Sequence, residues 1–444
     1  MLSKIKNKLI GLFASKPQPS AKKEPEKKRI IEKPVHQPRP KAVPVQKVKT
    51  LPKLHVVPES EGKVRFTDFN LDERILLGLQ NAKFKYCTPV QQETIPHLLN
   101  GKDVSVKAQT GTGKTAVFLL SIFDYLLKAP LKARTPGSCR VLIIAPTREL
   151  VMQIHSDAVS LGKYCPLNNL AVYGGIDYKK QLSALNKPID ILIGTPGRLL
   201  DYVSQQALHL SKTEIFVIDE ADRMLDMGFI PDVSTIERKL PHTNNRQTML
   251  FSATLTEQVM RLINRWQKDP VKIEMEIEST VPSPIDQQFY SVTGDKKISF
   301  LLWLMEKHKM EKILIFVNTK DQTFKLQKAL AKHKYDAEIL SSDIIQKKRI
   351  KTLSDFKSGK VPIIIATDVA SRGIHVDDVS HVINYDIPER ADDYIHRIGR
   401  TGRAGRKGVS ISFICEYGSY SIPEIEKALG HEIKCIQPEP NMYK

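Results

Sequence analysis

Lys114 and Thr115 follow a run of mostly small residues, Ala108-Gln109-Thr110-Gly111-Thr112-Gly113, whose backbone is free to curl around an anion. In such a cradle the loop N–H groups and a helix N-terminus point at one phosphate. Lys114 then reaches the outer phosphates, and the Thr115 hydroxyl is placed to hold Mg²⁺. Further along, Asp219 and Glu220 are adjacent. The first carboxylate suits a Mg²⁺ ion, commonly through water, and the second suits orienting and deprotonating an attacking water. Arg400 and Arg403 lie three residues apart, one helical turn, so both guanidiniums are expected to point one way. They suit neutralising a transferring phosphoryl group, or alternatively gripping the phosphates of a polyanion. Gln91 carries an acceptor and a donor pair on one amide, which suits reading an adenine edge. Phe84 has a face for stacking on a base or for packing in a core.

The elements that must hold these groups are legible in the hydrophobic pattern. Val104 and Val106 suit a buried strand leading into the cradle, and Thr115 to Leu127 has helical spacing behind it. Ile215–Ile218 runs straight into Asp219, which puts carboxylates at the carboxyl end of a strand, where open α/β sheets bind their ligands. Other short apolar runs at Val141–Ala145, Leu170–Tyr173, Ile189–Ile193, Met249–Phe251 and Val271–Met275 alternate with helical stretches. That is the rhythm of a helix-covered parallel sheet. After a segment at 276–284 with two prolines, which reads as a linker, the alternation resumes at Ile313–Val317, Ala337–Leu340, Pro362–Ala366, Val382–Tyr385 and Ser410–Ile414. The predicted fold class is therefore α/β, with one parallel-sheet lobe over 63–275, a second over 285–436 and a short tail at 437–444. Only the first contains a Gly-Lys-Thr loop.

Composition bounds the partners. The net charge is +19, and residues 1–62 hold 15 Lys/Arg against 5 Asp/Glu, leaving 53 against 44 in the rest. An excess of this size favours nucleic acid or an anionic membrane surface, a solvated surface being the alternative. Residues 17–60 contain nine prolines and many lysines, a composition that cannot bury enough surface to order itself. Before them Leu2, Ile5, Leu9 and Leu12 fall at helical spacing among lysines, so 2–13 reads as a short amphipathic helix capable of weak contact with anionic lipid. No apolar run approaches the roughly 18 residues of a membrane span. The five cysteines form no Cys-x-x-Cys pair, which argues against a zinc site or disulfide framework and for a reducing cytoplasm.

Taken together, the motifs resemble those of the DEAD-box ATP-dependent RNA helicases, in order, over roughly residues 66 to 435. Phe66, Phe84, Thr88, Pro89 and Gln91 match that family's adenine-reading segment, and Ala108 to Thr115 its phosphate loop. The resemblance implies two RecA-like lobes, ATP and Mg²⁺ as cofactors, and RNA-stimulated ATP hydrolysis. It assigns RNA contact to Pro146, Thr147, Arg148, Gly174, Gly175, Thr195, Gly197, Arg198, Arg349 and Thr367. Coupling of hydrolysis to RNA falls to Asp222, Ser252, Thr254, Asp368, Gly373, His375 and His396. The residue types agree with this. Glycines let the backbone approach a sugar-phosphate chain, and arginines at 148, 198 and 349 supply charge, so strands are held without their bases being read.

Two positions depart from the family pattern: Lys83 stands where Gly is usual before Phe84, and His375 where most members have an Asp that contacts ribose. His375, with Asp190–Thr195, Gln346–Arg349, Asn384–Asp386 and Cys415–Tyr417, resembles the RhlB branch of bacterial helicases. That branch implies RNA unwinding in messenger turnover, often with a ribonuclease assembly as partner; a cytoplasmic monomer is expected. The competing classes are an ATP-gated RNA clamp and a nuclease- or membrane-docked adaptor with a degenerate ATPase. Intact Lys114, Glu220, Arg400 and Arg403 weigh against degeneracy, and Asn318-Thr-Lys-Asp321 has the wrong order for a guanine reader.

Overall fold

A computed structural model describes residues 51–109, 111–130, 135–275, 285–308, 310–341, 343–368, 379–402 and 408–443. Two parallel seven-stranded sheets form the frame. The first has the order β3-β4-β2-β5-β6-β1-β7, with β1 at Val104–Lys107, β2 at Cys139–Ile144, β3 at Asn169–Val172, β4 at Ile189–Gly194, β5 at Ile215–Ile218, β6 at Gln247–Ser252 and β7 at Val271–Glu274. The second has the order β10-β11-β9-β12-β13-β8-β14, with β8 at Ile285–Ser291, β9 at Ile313–Phe316, β10 at Ala337–Leu340, β11 at Ile363–Ala366, β12 at His381–Asn384, β13 at Gly408–Ile414 and β14 at Cys435–Ile436. Helices cover both faces, so central strands such as Ile215–Ile218 and Ile363–Ala366 are buried at every residue and read as unbroken apolar runs.

Sheet order explains why distant motifs meet. Strands β5, β6 and β1 are neighbours, with Lys107 opposite Ser252 and Ile218 opposite Leu250. The carboxyl ends of these strands therefore deliver Ala108, Asp219 and Ser252 to one edge, and the Ala108 N–H donates to the Ser252 carbonyl at 3.0 Å. In the second sheet the neighbours β11, β9 and β12 likewise bring Thr367-Asp368, Asn318 and Asp386 to one edge.

Local sequence sets the helices that follow. Helix α1, Glu73–Asn81, is capped by Asp72, whose carboxylate accepts from the Arg74 N–H. Helix α2, Pro89–Leu99, opens with Pro at its first position and a reciprocal capping box between Thr88 and Gln91. Helix α3, Lys114–Lys128, starts from Gly113 at φ +92°, a conformation a side chain at this position resists. The first lobe continues with α4 Arg148–Leu161, α5 Tyr178–Leu185, α6 Pro196–Ser204, α7 Ala221–Asp226, α8 Ile230–Glu237 and α9 Glu257–Trp266. Among the described residues the second lobe adds α10 Lys297–His308, α11 Lys320–Lys332, α12 Gln346–Lys357, α13 Ala391–Ile398 and α14 Ile422–Leu429.

Two strands escape the sequence pattern. Ile285–Ser291 carries apolar core residues only at Ile285 and Phe289, and Cys435–Ile436 is a two-residue edge. The composition also assigns residues 51–60 to an unstructured extension, yet they are bound to the first lobe. The His55 N–H donates to Gln80 Oε1 at 2.7 Å, the Tyr86 hydroxyl donates to the Pro58 carbonyl at 2.9 Å, and Arg65 pairs with Glu59 at 3.2 Å. Three side chains of the lobe thus supply what the proline-rich segment cannot provide for itself. The amphipathic helix at 2–13 and the linker at 276–284 lie outside the described residues. Among the described residues no helix is long and apolar enough to cross a membrane.

Candidate active site and groove

The phosphate loop is braced from below by α2. Gln91 is 1% exposed; its Oε1 accepts from the Thr88 N–H at 2.9 Å and its amide donates to the Gly113 carbonyl at 3.2 Å. Thr88 Oγ1 donates to the Thr112 carbonyl at 2.8 Å, and Thr112 Oγ1 to that of Gln109 at 2.8 Å. Gly111 and Gly113 both have φ near +90°. A Cβ on Gly113 would lie 2.3 Å from the Gln91 amide nitrogen, so this turn excludes any side chain. Lys114, buried, donates to the Ala108 carbonyl at 2.5 Å from inside the curl, and Thr115 follows it in the first turn of α3. Thr110 lies outside the described residues.

Phe84 is 39% exposed, meets Phe66 edge-on at 6.2 Å between centroids and lines a cleft with the 54–58 segment. Lys83 before it takes φ +64°, the left-handed turn that ends α1 and that Gly adopts without strain. The substitution for Gly therefore keeps the turn, at a cost of about 1 kcal/mol.

Opposite the cradle, Asp219 and Glu220 are 3% and 5% exposed. Burial pushes the Asp219 carboxyl up to about 7, against the pull of Lys114 and with Glu220 adding repulsion. Glu220 has φ +56° and caps the short helix α7. A left-handed conformation at a buried, non-glycine carboxylate is strain of the kind stored at functional sites. Its Oε2 pairs with Arg223 Nη1 at 3.1 Å, both groups being buried. Spacing of three residues is the signal by which Arg223 is findable. Asp222 joins this segment to the end of β6: its Oδ2 accepts from the N–H groups of Ala253 at 2.9 Å and Thr254 at 3.0 Å, and its own N–H donates to Ser252 Oγ at 3.2 Å.

The second lobe contributes helix α13 and the turn behind it. Arg400 is not on the helix that its one-turn spacing to Arg403 implies. The helix stops at Ile398, with Gly399 as its cap, so Arg400 sits in a separate turn whose N–H donates to Arg397 O at 3.1 Å. Arg400 is buried, and its Nε donates to the His396 carbonyl at 3.3 Å. Arg403, Gly373 and His375 lie outside the described residues. His396 is held down to about 4 by burial, and by the nearby positive charges of Arg223 and Arg400, with Asp222 opposing. Thus charges on the helix that Glu220 begins in the first lobe act on His396 of the second.

Sequence reasoning missed Arg397. It is 1% exposed and forks onto Asp368 with two bonds of 2.6 Å. It also donates to the Asp386 carbonyl at 2.6 Å and to Asn318 Oδ1 at 3.0 Å, with its plane over the Phe316 ring. Its partners end three different strands, a convergence that no local spacing reveals. Buried Lys297 completes the cluster through Asp386 Oδ1 at 2.8 Å.

A groove of ≈ 370 Å³ crosses between the lobes. Pro146, Thr147, Arg148, Gly174, Thr195, Gly197, Arg198 and Arg349 all line it. Gly175 is at its edge: a Cβ there would lie 2.4 Å from Arg148 Nη1. Thr367 is buried at the end of β11 and does not line it. Helices α4 and α6 begin at this wall with Thr147 and Thr195 as caps, so two helix N-termini face the groove beside its arginines. The lobes touch here as well. Arg349 Nε meets Glu149 Oε1 at 2.6 Å, and Gln346 bridges Arg148 at 3.3 Å and Glu149 at 3.1 Å.

Comparison with known proteins agrees with this architecture. Residues 88–262 match the DEAD/DEAH box helicase model and residues 296–405 the helicase conserved C-terminal domain. The chain is 49% identical over 386 residues to the ATP-dependent RNA helicase RhlB of Pseudomonas syringae, covering 86% of this chain and 97% of that protein. It is similar in structure to Dbp5 of S. cerevisiae bound to RNA and ADP BeF3, with TM-score 0.73 and 30% identity over 84% of this chain and 95% of that one. Mss116p bound to ssRNA and AMP-PNP gives 0.75 and 30%, over 87% and 83%. With both lobes, the cradle, the paired carboxylates and the cross-lobe groove in this arrangement, the chain belongs to the DEAD-box family of ATP-dependent RNA helicases, on its RhlB branch.

Proposed function

We propose that this protein separates short RNA duplexes locally, or remodels RNA–protein complexes, by closing its two lobes over ATP and RNA together, in bacterial RNA turnover. The observation that carries this reading is the cross-lobe construction of both sites: the groove is lined from both lobes, and the helix that Glu220 begins is met from the second lobe by Arg390 at Asp226. A strand lying in the groove would be held through its sugar-phosphate backbone by Arg148, Arg198, Arg349 and the two helix N-termini, without base reading.

In the nucleotide site the adenine would stack on Phe84 and the phosphates would lie in the 108–115 loop, with Lys114 leaving the Ala108 carbonyl to meet them. The Thr115 hydroxyl and the Asp219 carboxylate are hard oxygen donors, and a buried carboxylate pushed up to about 7 is a group that a cation would relieve. They are the residues that would hold Mg²⁺, which when bound neutralises phosphate charge. Glu220 orients and deprotonates the attacking water. Arg400 neutralises charge on the transferring phosphoryl group, so chemistry waits for closure. Asp222 transmits the state of that site to Ser252 and Thr254 through the bonds described above, and charges on the same helix act on His396 of the other lobe. Docking on a ribonuclease assembly and a cytoplasmic location belong to the same reading.

The test is ATP turnover with and without single-stranded RNA, beside strand release from a short duplex. RNA should stimulate turnover, and Glu220→Gln should keep ATP and RNA binding while nearly stopping hydrolysis, so that a trapped ternary complex accumulates. Unchanged turnover in Glu220→Gln would remove the base assignment; RNA-stimulated turnover without strand release would favour the ATP-gated clamp.

A further inference from the structure

Two charged residues sit at the unfavourable ends of their own helices. Asp226 is the last residue of α7, where a helix C-terminus repels an anion, and Arg390 stands at the N-cap of α13, where an N-terminus repels a cation. Arg390 makes no side-chain capping bond, and is of no capping type. The two match across the lobes: Arg390 Nη1 lies 2.9 Å from Asp226 Oδ1. Arg390 also reaches Asp392 at 3.5 Å on its own helix, so it has a partner within the second lobe when Asp226 is out of reach.

The helices concerned are those that carry the chemistry. Helix α7 begins at Glu220, and α13 leads into Arg400. His396, near the end of α13, feels the charges of Arg223 and Asp222 at the start of α7, while Arg390, before α13, pairs with Asp226 at the end of α7. The Arg390–Asp226 pair thus joins the start of α13 to the end of α7, while the charges at the start of α7 act on His396 near the other end of α13. We propose that Asp226 and Arg390 are positioning residues that set the register of the Arg400 turn against the Glu220 carboxylate when the lobes close. This rests on the reading of Arg400 as the phosphoryl-neutralising group. A single contact near Arg400 would leave α13 free to pivot; a second at the far end of α7 fixes its angle.

The pair is half exposed on the arginine side, so neutralising it costs little and reversing it costs more. The full-length chain is assayed at saturating RNA. Asp226→Asn and Arg390→Gln should each lower RNA-stimulated kcat about two- to fivefold. The reversals Asp226→Arg and Arg390→Asp should lower it about tenfold, with KM for ATP little changed, and the double reversal should recover to within about threefold of the parent. Rescue by the double reversal is an outcome that a merely structural role for either residue does not give. Circular dichroism melts identify any variant that fails to fold, for which the neutral substitution is then decisive. Single variants with parental kcat, or a double reversal no better than the singles, overturn the proposal. Arg400→Lys is run alongside: a normal kcat there defeats the Arg400 reading by itself, whereas a low kcat with no effect at 226 and 390 defeats only the register role.

Discussion

Replacing Gln91 by Glu isolates what the buried amide does. The acceptor toward the Thr88 N–H is kept, but the donor toward the Gly113 carbonyl, 3.2 Å away, becomes a carboxylate oxygen facing another oxygen. At 1% exposure neither oxygen has water to turn to. Leaving a buried acceptor unsatisfied costs about 1–3 kcal/mol, and repulsion adds to it. Because Gly113 starts α3 and ends the phosphate loop, most of this cost should appear in nucleotide binding, as a loss of roughly 30-fold for about 2 kcal/mol. The new carboxyl, desolvated, has a raised folded-state pKa. Below that pKa its O–H donates to Gly113 and restores the bond, so the defect relative to parent should shrink as pH falls from 8 toward 5.5. Fluorescent ATP titrations of both proteins across that range read the ratio directly. Gln91→Met, which lacks either state, should be weak at every pH. A Gln91→Glu defect that is absent at pH 8, or equal at both ends, would refute the brace.

Asp222→Asn should cut RNA-stimulated turnover about tenfold or more while sparing ATP affinity, because an amide oxygen in place of the charged acceptor weakens the bonds to Ala253 and Thr254; equal loss in both kinetic constants would contradict this. His396 is buried neutral with its pKa down at about 4 against an ordinary 6.5. Open or unfolded forms bind the extra proton between those values, so the closed arrangement loses stability as pH falls from about 6.5 to 4, and His396→Gln should flatten that dependence in interlobe fluorescence. Removing residues 1–50 should weaken RNA binding at low salt and reduce the slope of log K against log salt, about 0.7 per lost phosphate contact; an unchanged slope would defeat a role for the extension in holding RNA.

Much of the fold and the site is legible in the amino-acid sequence. Strands such as Ile215–Ile218 and Ile363–Ala366 fall where the apolar runs do, because parallel strands covered on both faces are buried at every residue. The cradle glycines and the adjacent carboxylates follow from residue type and order, and most of the residues that line the groove are those the resemblance to DEAD-box helicases assigned to RNA. The features that escape have no local signature. Arg397 draws its partners from three strands, residues 51–60 are ordered by side chains elsewhere, and the turn carrying Arg400 follows from where Gly399 ends the helix. Gln91, expected to read a base, is also the prop beneath the loop, which a motif cannot show.

If ATP and RNA act through one closure of the lobes, interlobe energy transfer reads that closure without an intervening step. The full-length chain is labelled on the exposed positions Val159 and Phe324 after replacement by cysteine, in a background with the native exposed thiol removed. With ATP analogue and single-stranded RNA together the high-transfer state should dominate, and each ligand alone should populate it far less. Equal populations under all conditions, or full closure with either ligand by itself, would show that the two ligands do not share one closure.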